Sequence, residues 1–339
     1  MFPSAEIIEY TELLHALNEN NSRTNYTLIR KGGGTDGIPH YKLLKNLTTR
    51  VYVIWVRGTR FTDPNDAKIN IQISEKVFYN GKCHRGYFLA AIGVIDQIRG
   101  FLDDNEINKI VCLGHSLGGA VASLIAIMIQ RGDDASGTIR GMSYFRDILI
   151  QDGIKAIVFG TPPVVSDTIC EYSRSFITNI VNDKDFIPKL GNSFDALRNL
   201  HIKYVSILMY NLIEPYHHVN ISNNDKLDPN RLAGKVIIID PRSKTIFQGT
   251  NLKKILHYSD VLGLFHHQMI HYYNIILSIT PDNYTQRLDR GIILVSEKST
   301  IKKTTMIVVG TVATGVAAYL AIGFSVAVGV LGAIASSSH

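Results

Sequence analysis

The chain reads IVCLGHSLGGAVASLIAIMI from Ile110 to Ile129. An apolar run ends at Leu113, a glycine-rich turn follows, and a second apolar run begins at Ala120. The first run is short and rich in β-branched residues, which favours a buried strand, whereas the second has the length of a helix. Glycines stand two positions before and two positions after Ser116, where the backbone has to turn sharply. We therefore predict a strand, a tight turn that carries Ser116, and a helix.

Similar apolar runs lie on both sides of this stretch. They are Val51–Val56, Ile154–Phe159, Phe176–Val181 and Val236–Ile239, and the helix-length segments are Gly86–Phe101 and Gly119–Gln130. Near-continuous apolarity is typical of strands that are buried on both faces. Because strands and helices alternate, we predict an α/β fold with a mostly parallel central sheet covered by helices. The segment Arg131–Ser143 is predicted to be a surface loop, and Phe194–Tyr210 a helix.

Composition and charge narrow the class of protein. The chain has 339 residues, of which 45% are hydrophobic and 19% charged, which fits one large domain and an appendage. The formal net charge is +6, but no basic run with interleaved aromatic residues supports nucleic-acid binding. Cys83, Cys112 and Cys170 cannot all pair, so we expect no disulfide framework and a reducing compartment.

The C-terminal region contains a long uncharged segment. No charged residue occurs from Met306 to Ile334, which exceeds the roughly 20 apolar residues that cross a bilayer as a helix. We predict a C-terminal transmembrane helix over 306–334, with a buried core helix and a helical hairpin broken near Gly323 as alternatives. The expected domains are a catalytic domain over 1–298, and a basic flank with the membrane anchor over 299–339.

The residues around this segment predict its orientation. Lys302 and Lys303 precede it, and basic residues tend to remain on the cytoplasmic side. The N-terminus lacks the features of a secretory signal. We therefore expect a single-pass tail anchor with the large domain facing the cytosol. Small residues recur at every fourth position, which predicts weak homo-oligomers through one helix face: Ala313, Ala317, Ala321, Ser325, Gly329 and Ala333.

The turn at Ser116 indicates nucleophilic catalysis by a serine. In a Gly-x-Ser-x-Gly string between a strand and a helix, the serine hydroxyl is lifted above the sheet, and the helix N-terminus faces developing negative charge. The alternative is an ordinary glycine-rich turn. A serine hydroxyl is a weak nucleophile, so the hypothesis needs a histidine base and an orienting acid later in the chain.

Several short motifs resemble one family. They are Gly114-His115-Ser116-Leu117-Gly118-Gly119, Arg57-Gly58-Thr59, His84-Arg85-Gly86-Tyr87, Phe159-Gly160-Thr161-Pro162-Pro163 and Asn182-Asp183-Lys184-Asp185-Phe186-Ile187-Pro188. Together they are similar to the class 3 lipases, the fungal-lipase-like branch of the α/β hydrolases. The resemblance runs from about Val51 to Tyr273 and implies an α/β-hydrolase fold and a Ser-Asp-His triad.

The resemblance implies the acid. In the family, the catalytic acid follows a strand and directly precedes two apolar residues and a proline. Asp185 holds that position here. Asp183 is the competitor, and without a catalytic role it would be a solvated loop carboxylate.

The resemblance also implies the histidine, although candidates crowd this part of the chain. The family often has His, then Met two places on and Tyr three beyond that, which His267, Met269 and Tyr272 reproduce. We choose His267 over the alternatives His257, His266 and His271. The four-residue spacing of His267 and His271 also suits a metal on a helix face, but no acidic or cysteine partner accompanies it. His217 and His218 are expected on a polar surface.

Two further features follow from the resemblance. Thr59 would donate its backbone N–H, with its hydroxyl as a further donor, to an oxyanion together with the N–H of Leu117. The alternative is a simple strand-ending turn, for which Gly58 alone would account. The family places a lid between Phe61 and Lys82, but this stretch alternates more like a strand than an amphipathic helix. A well-developed lid is not expected.

These features predict a membrane-anchored serine ester hydrolase that cleaves acyl esters of glycerolipids, of the triacylglycerol or diacylglycerol lipase or phospholipase type. No metal or organic cofactor is expected. The expected partners are the acyl-lipid substrate and a membrane. The alternative hypothesis is a lipase-fold interaction protein that has lost turnover and is tethered to a membrane.

Overall fold

The computed structural model describes residues 2–21, 23, 25–59, 66, 69, 75–103, 107–132, 153–185, 187–189, 232–249, 266–280 and 282–288. Its strands are β1 (Tyr26–Gly32), β2 (Tyr41–Asn46), β3 (Tyr52–Val56), β4 (Glu75–Phe78), β5 (Gly81–His84), β6 (Ile110–His115), β7 (Ile154–Phe159), β8 (Ile177–Asn182), β9 (Lys235–Asp240), β10 (Thr245–Gly249) and β11 (Thr285–Leu288). Its α-helices are α1 (Ala5–Asn18), α2 (Arg85–Asp103), α3 (Leu117–Arg131), α4 (Asp167–Ser173) and α5 (Met269–Ser278), and a 3-10 helix spans Ile187–Lys189.

A single large sheet organises the fold. Within the described residues it has nine strands in the order β1-β2-β3-β6-β7-β8-β9-β10-β11, while β4 and β5 form a separate hairpin. The strands from β3 through β9 in this order are parallel, β1 and β2 extend one edge antiparallel, and β10 is antiparallel to β9. The predicted α/β fold with a mostly parallel sheet is confirmed.

Helices cover both faces of the sheet. Successive side chains of a strand point to opposite faces, so Ile54 packs into the core beneath α2 and α3 while Trp55 packs into the core beneath α1 and α5. Every residue of β3 is buried, as the continuous apolar run predicts. Burial of each large aliphatic side chain stabilises the fold by about 1.5–3 kcal/mol. The two cores hold the carboxyl ends of the parallel strands in register.

The predicted elements have slightly different ends in the structure. The structure includes Arg131 in α3, although the sequence predicts a loop from that residue. Gly132 ends the helix in a left-handed conformation (φ 77°), and its N–H donates to carbonyls of the last turn. Within the predicted lid region, the structure describes Asp66 and Ile69, which are both buried, and the rest of 60–74 lies outside the described residues.

Other predictions lie outside the described residues. These are the rest of the 131–143 loop, the 194–210 helix, and the 306–334 transmembrane segment with its small-residue stripe. Among the residues that the structure describes, no helix combines the length and apolarity needed to cross a bilayer. Cys83, Cys112 and Cys170 are all buried and unpaired with one another.

Candidate active site

Ser116 lies at the junction of β6 and α3, at the carboxyl edge of the sheet. Its backbone has φ 58° and ψ −130°, a conformation that non-glycine residues rarely adopt. The Ser116 N–H donates to the carbonyl of Phe159 at 2.9 Å, and its own carbonyl accepts from Ala120 N–H at 3.0 Å. These bonds hold the strained turn between the sheet and the helix. Strain of this kind persists where surrounding structure enforces it, and it is common at functional sites.

The glycines of the turn allow the backbone to pass close to its neighbours. A Cβ atom at Gly114 would overlap the carbonyl of Gly118, and one at Gly118 would overlap the carbonyl of Val56 at the end of β3. From the other side, a Cβ atom at Gly58 would lie 3.6 Å from Ser116 Cβ. The strand-ending segment around Gly58 therefore lies directly against Ser116.

Asp185 is fully buried and accepts three hydrogen bonds. Its Oδ2 accepts from Tyr272 OH at 2.6 Å and lies 2.8 Å from His267 Nδ1, while its Oδ1 accepts from Ile187 N–H at 2.8 Å. The turn that follows β8 positions it, since Asp185 N–H donates to the carbonyl of Asn182 at 2.8 Å. Because the carboxylate faces Nδ1, that nitrogen carries the proton and Nε2 is left as the acceptor.

Asp183 has a different structural environment. It is 5% exposed, and its Oδ2 lies 2.8 Å from Arg242 Nη2 in an ion pair. The expectation of a solvated loop carboxylate is therefore wrong. The carboxylate pairs with Arg242 in the turn after β9, and Asp183 N–H donates to the carbonyl of Ile239 within β9.

The candidate histidines of the C-terminal part differ in their ring contacts. The His267 ring lies 4.5 Å from the His115 ring between centroids, next to the residue that precedes Ser116. The His266 ring instead packs edge-on against His271, with centroids 5.3 Å apart. His257, His217 and His218 lie outside the described residues. The structure therefore brings His267, and not His266 or His271, to Asp185.

Ser116 and His267 are not joined by a hydrogen bond in the structure, although both lie among the described residues. Hydrogen bonds of catalytic groups are often long before substrate binds and tighten in the complex. The hydrogen bond observed within the candidate triad is thus the one between the acid and the histidine.

Tyr272 supports the acid and was not predicted as a site residue. Its buried phenol donates to Asp185 and accepts from Asn182 N–H at 3.2 Å. Burial and the neighbouring Asp185 charge raise the pKa of Tyr272 well above its usual value, so the phenol stays protonated. The spacing of Tyr272 after His267 was visible in the sequence, but its contact with the acid was not.

His115 is a second residue whose role was not predicted. Although some of its surface remains exposed, its ring packs against His267 and Tyr272, and its Nε2 is a buried atom without a hydrogen-bond partner among the described residues. Burial, and next the charge of His267, hold the pKa of His115 well below its usual value. His115 is therefore a neutral ring beside the candidate base.

Thr59 and Leu117 belong to the two backbone segments that meet at Ser116. Leu117 is the first residue of α3, where backbone N–H groups are not used by the helix. Thr59 follows Gly58 at the end of β3, and Arg57 in the same segment pairs with the buried Asp66 at 2.9 Å. The contact of α3 with β3 at Gly118 keeps the two segments together. Two backbone segments that meet at the serine in this way are suited to supplying N–H donors to an oxyanion.

A cleft of about 830 Å³ adjoins the site. Thr59 and His115 line it, together with residues from the C-terminal end of α1, the edge strands β1 and β2, and the start of α5. Clefts that bind small organic ligands have volumes of roughly 300–1,000 Å³. The volume is therefore compatible with part of a lipid.

Comparison with known protein families matches residues 53–194 to the family described as lipase (class 3). This stretch of the chain is similar to the class 3 lipases. The match confirms the resemblance predicted from the motifs. The matched stretch contains Thr59, Ser116 and Asp185 but ends before His267, so the match does not test the histidine.

Solved structures of fungal lipases resemble the chain more distantly. The Rhizomucor miehei lipase propeptide complex is 17% identical over 55% of this chain and 62% of that chain, with a TM-score of 0.39. The Rhizopus microsporus var. chinensis lipase is 18% identical over 54% and 67%, with a TM-score of 0.38. Lip2 lipase from Yarrowia lipolytica is 16% identical over 49% and 61%, with a TM-score of 0.35. Identities and TM-scores this low carry no information about the substrate. A comparison with curated proteins finds no match.

Proposed function

We propose that this chain is a class 3 lipase and works as a serine ester hydrolase that cleaves acyl esters of glycerolipids, with Ser116 as nucleophile, His267 as base and Asp185 as the orienting acid. The observation that carries the proposal is the hydrogen-bonded Asp185–His267 pair beside the strained turn at Ser116. A tethered interaction protein without turnover would have no use for a buried carboxylate fixed on an imidazole next to a serine.

The reaction proceeds through an acyl-enzyme. Ser116 Oγ attacks the ester carbonyl and gives its proton to His267 Nε2, while the N–H groups of Thr59 and Leu117 stabilise the oxyanion. The alkoxide leaves as an alcohol with that proton. A water molecule then attacks the acyl-serine by the same route, which releases a fatty acid and restores Ser116. Asp185 keeps the imidazole in place and stabilises its charged form.

Release of fatty acid from a diacylglycerol in detergent micelles tests the proposal. Ser116→Ala should reduce the turnover of the full chain by at least about a thousandfold, because the covalent route is lost. Ser175→Ala, which changes an exposed serine away from the site, should leave turnover unchanged. Equal activity of wild type and Ser116→Ala, or no ester hydrolysis by the folded wild type, would reject the proposed function.

We also propose that the C-terminal segment 306–334 anchors the enzyme with its catalytic domain in the cytosol, on the strength of the uncharged length and Lys302-Lys303 before it. The anchor would keep the enzyme close to insoluble substrate. Protease added to the cytosolic face of sealed membranes should digest the catalytic domain, and complete protection would reverse the proposed orientation.

A further inference from the structure

A row of residues with two like charges crosses the edge of the sheet. Lys31 of β1 lies directly opposite Lys42 of β2, and Lys42 lies directly opposite Trp55 of β3. Directly opposed residues of antiparallel strands share one face of the sheet, so the three side chains are neighbours. Two ammonium groups in such positions repel one another and destabilise the pairing. A ligand of opposite charge would remove that cost.

The row forms part of the cleft beside the catalytic serine. Lys31, Lys42 and Trp55 line the same space of about 830 Å³ as Thr59 and His115. The charged row thus shares its cleft with the candidate oxyanion donor Thr59 and with His115, the residue next to Ser116.

The charges around this cleft do not balance. The Lys42 ammonium lies 5.1 Å from the centre of the Trp55 ring, and neither Lys31 nor Lys42 forms an ion pair with a carboxylate that the structure describes. Burial, and next the charge of Lys31, lower the pKa of Lys42. Glu19 is the carboxylate among the described lining residues, and Arg57 is already paired with Asp66. The cleft therefore keeps a surplus of positive charge.

We propose that Lys31 and Lys42 bind the phosphate of a glycerophospholipid whose acyl ester is cleaved at Ser116. This inference rests on the proposed function and names its substrate class. The phosphodiester lies between the two ammonium groups and offsets their repulsion, and the scissile carbonyl lies beside Ser116. Hydrolysis breaks the acyl–oxygen bond, so that the products are a fatty acid and a lysophospholipid that retains its phosphate. A neutral diacylglycerol would leave both lysines without an anion.

Short-chain lipids dissolved as monomers separate headgroup binding from adsorption to a lipid surface. The full chain is assayed by kcat/KM for fatty acid release from dihexanoyl phosphatidylglycerol and from dihexanoylglycerol. The double variant Lys31→Gln/Lys42→Gln should lose roughly tenfold or more on the phospholipid, because charge-assisted hydrogen bonds to the phosphate are removed. Its kcat/KM on dihexanoylglycerol should stay within about twofold of wild type.

Lys45→Gln is the matched control. Lys45 is on the same strand as Lys42, its ammonium lies 5.0 Å from the Tyr52 ring centre, and it lines a different cavity. This variant should change neither substrate's kcat/KM. Inorganic phosphate added to wild type should inhibit dihexanoylglycerol hydrolysis only weakly, since the proposal commits to a lipid-borne phosphate.

The outcomes distinguish the two proposals. If the double variant lost kcat/KM equally on both lipids, or kept the wild-type ratio of the two kcat/KM values, the phosphate site would be overturned. Either result would leave the ester hydrolase intact. Strong inhibition by inorganic phosphate that vanishes in the double variant, without any preference for the phospholipid, would indicate a site for free phosphate and also overturn it. Absence of hydrolysis of either lipid by folded wild type would instead reject the proposed function.

Discussion

Asp183 and Asp185 belong to the same turn after β8, yet their carboxylates bind different partners. Asp183 pairs with Arg242, whose side chain is about half exposed. Asp185 has no exposed surface and is held by His267, Tyr272 and a backbone N–H. The first carboxylate therefore joins two loops, whereas the second can act on an imidazole.

This difference predicts that the same substitution affects catalysis at Asp185 and stability at Asp183. Asp185→Asn should lower kcat for ester hydrolysis by roughly a thousandfold or more, because an amide neither fixes the tautomer of His267 nor stabilises its charged form. Asp183→Asn should keep kcat within about threefold of wild type and lower the free energy of unfolding by about 1–2 kcal/mol, discounted for the solvent around Arg242. Steady-state kinetics and urea unfolding of both variants measure this. A larger loss of kcat in Asp183→Asn would exchange the two roles.

Local sequence predicted some of these residues and not others. Ser116 and Asp185 stand in short motifs whose chemistry depends on neighbours within a few positions, so a single sequence is enough to propose them. The ion pair of Asp183 joins residues 59 positions apart, and the Tyr272–Asp185 bond joins residues 87 apart. Contacts between residues so far apart in the chain form only when the sheet is assembled. The hydrophobic periodicity of the sequence therefore does not predict them.

At the scale of elements, the turn between β6 and α3 depends on close backbone contact. Gly118 allows the first turn of α3 to touch the end of β3, because any side chain there would meet the Val56 carbonyl and the backbone of Arg57. Gly100, in α2, has open space where its side chain would be. The two helical glycines thus differ in the space available for a side chain, which is absent at Gly118 and present at Gly100.

Alanine substitutions should separate them. Gly118→Ala should lower the free energy of unfolding by roughly 2–4 kcal/mol and reduce kcat, because α3 has to move away from β3 and carry Leu117 with it. Gly100→Ala should raise the free energy of unfolding by about 0.5–1 kcal/mol, since alanine is the better helix former, with kcat unchanged. Urea unfolding and kinetics of the two variants measure both effects. Tolerance of Gly118→Ala with full activity would show that this contact does not position the turn.

The elements that the sequence predicted are those with a clear hydrophobic signal. Strands β3, β6, β7, β8 and β9 lie within a residue or two of the predicted runs. Strand β1 was missed because it is half exposed and a bulge between Leu28 and Arg30 breaks its alternation. Strand β2 was missed because its lysines interrupt an otherwise buried run. These edge strands carry the lysine row, so the cleft could not be predicted either.

At the scale of the whole molecule, stability should depend on buried neutral histidines. His84, between β5 and α2, stacks on Tyr87 at 4.1 Å between ring centroids and accepts the Tyr87 N–H. Burial lowers the pKa of His84 to about 4. In the unfolded chain the group binds its proton near pH 6.5, so unfolding takes up a proton as pH falls below that value. Stability is therefore retained above about pH 6.5 and is progressively lost towards pH 4.

Urea unfolding at pH 7 and pH 5 tests this linkage. His84 alone should account for a loss of about 2 kcal/mol between those values. His84→Asn retains an acceptor for the Tyr87 N–H. In this variant the free energy of unfolding should be lower at pH 7 than in wild type. Its decrease from pH 7 to pH 5 should be smaller than that of wild type by about 2 kcal/mol. An identical pH dependence in wild type and His84→Asn would mean that His84 is not kept neutral by the fold.

The central claim is that Ser116 is made reactive by His267, and covalent labelling with a fluorophosphonate measures this most directly. Peptide mapping should locate the adduct on Ser116 in the folded full chain. The second-order rate constant of labelling should fall at least about a hundredfold in His267→Ala, because the general base is lost, and remain near wild type in His266→Ala. No adduct on Ser116, or equal labelling of wild type and His267→Ala, would contradict the account.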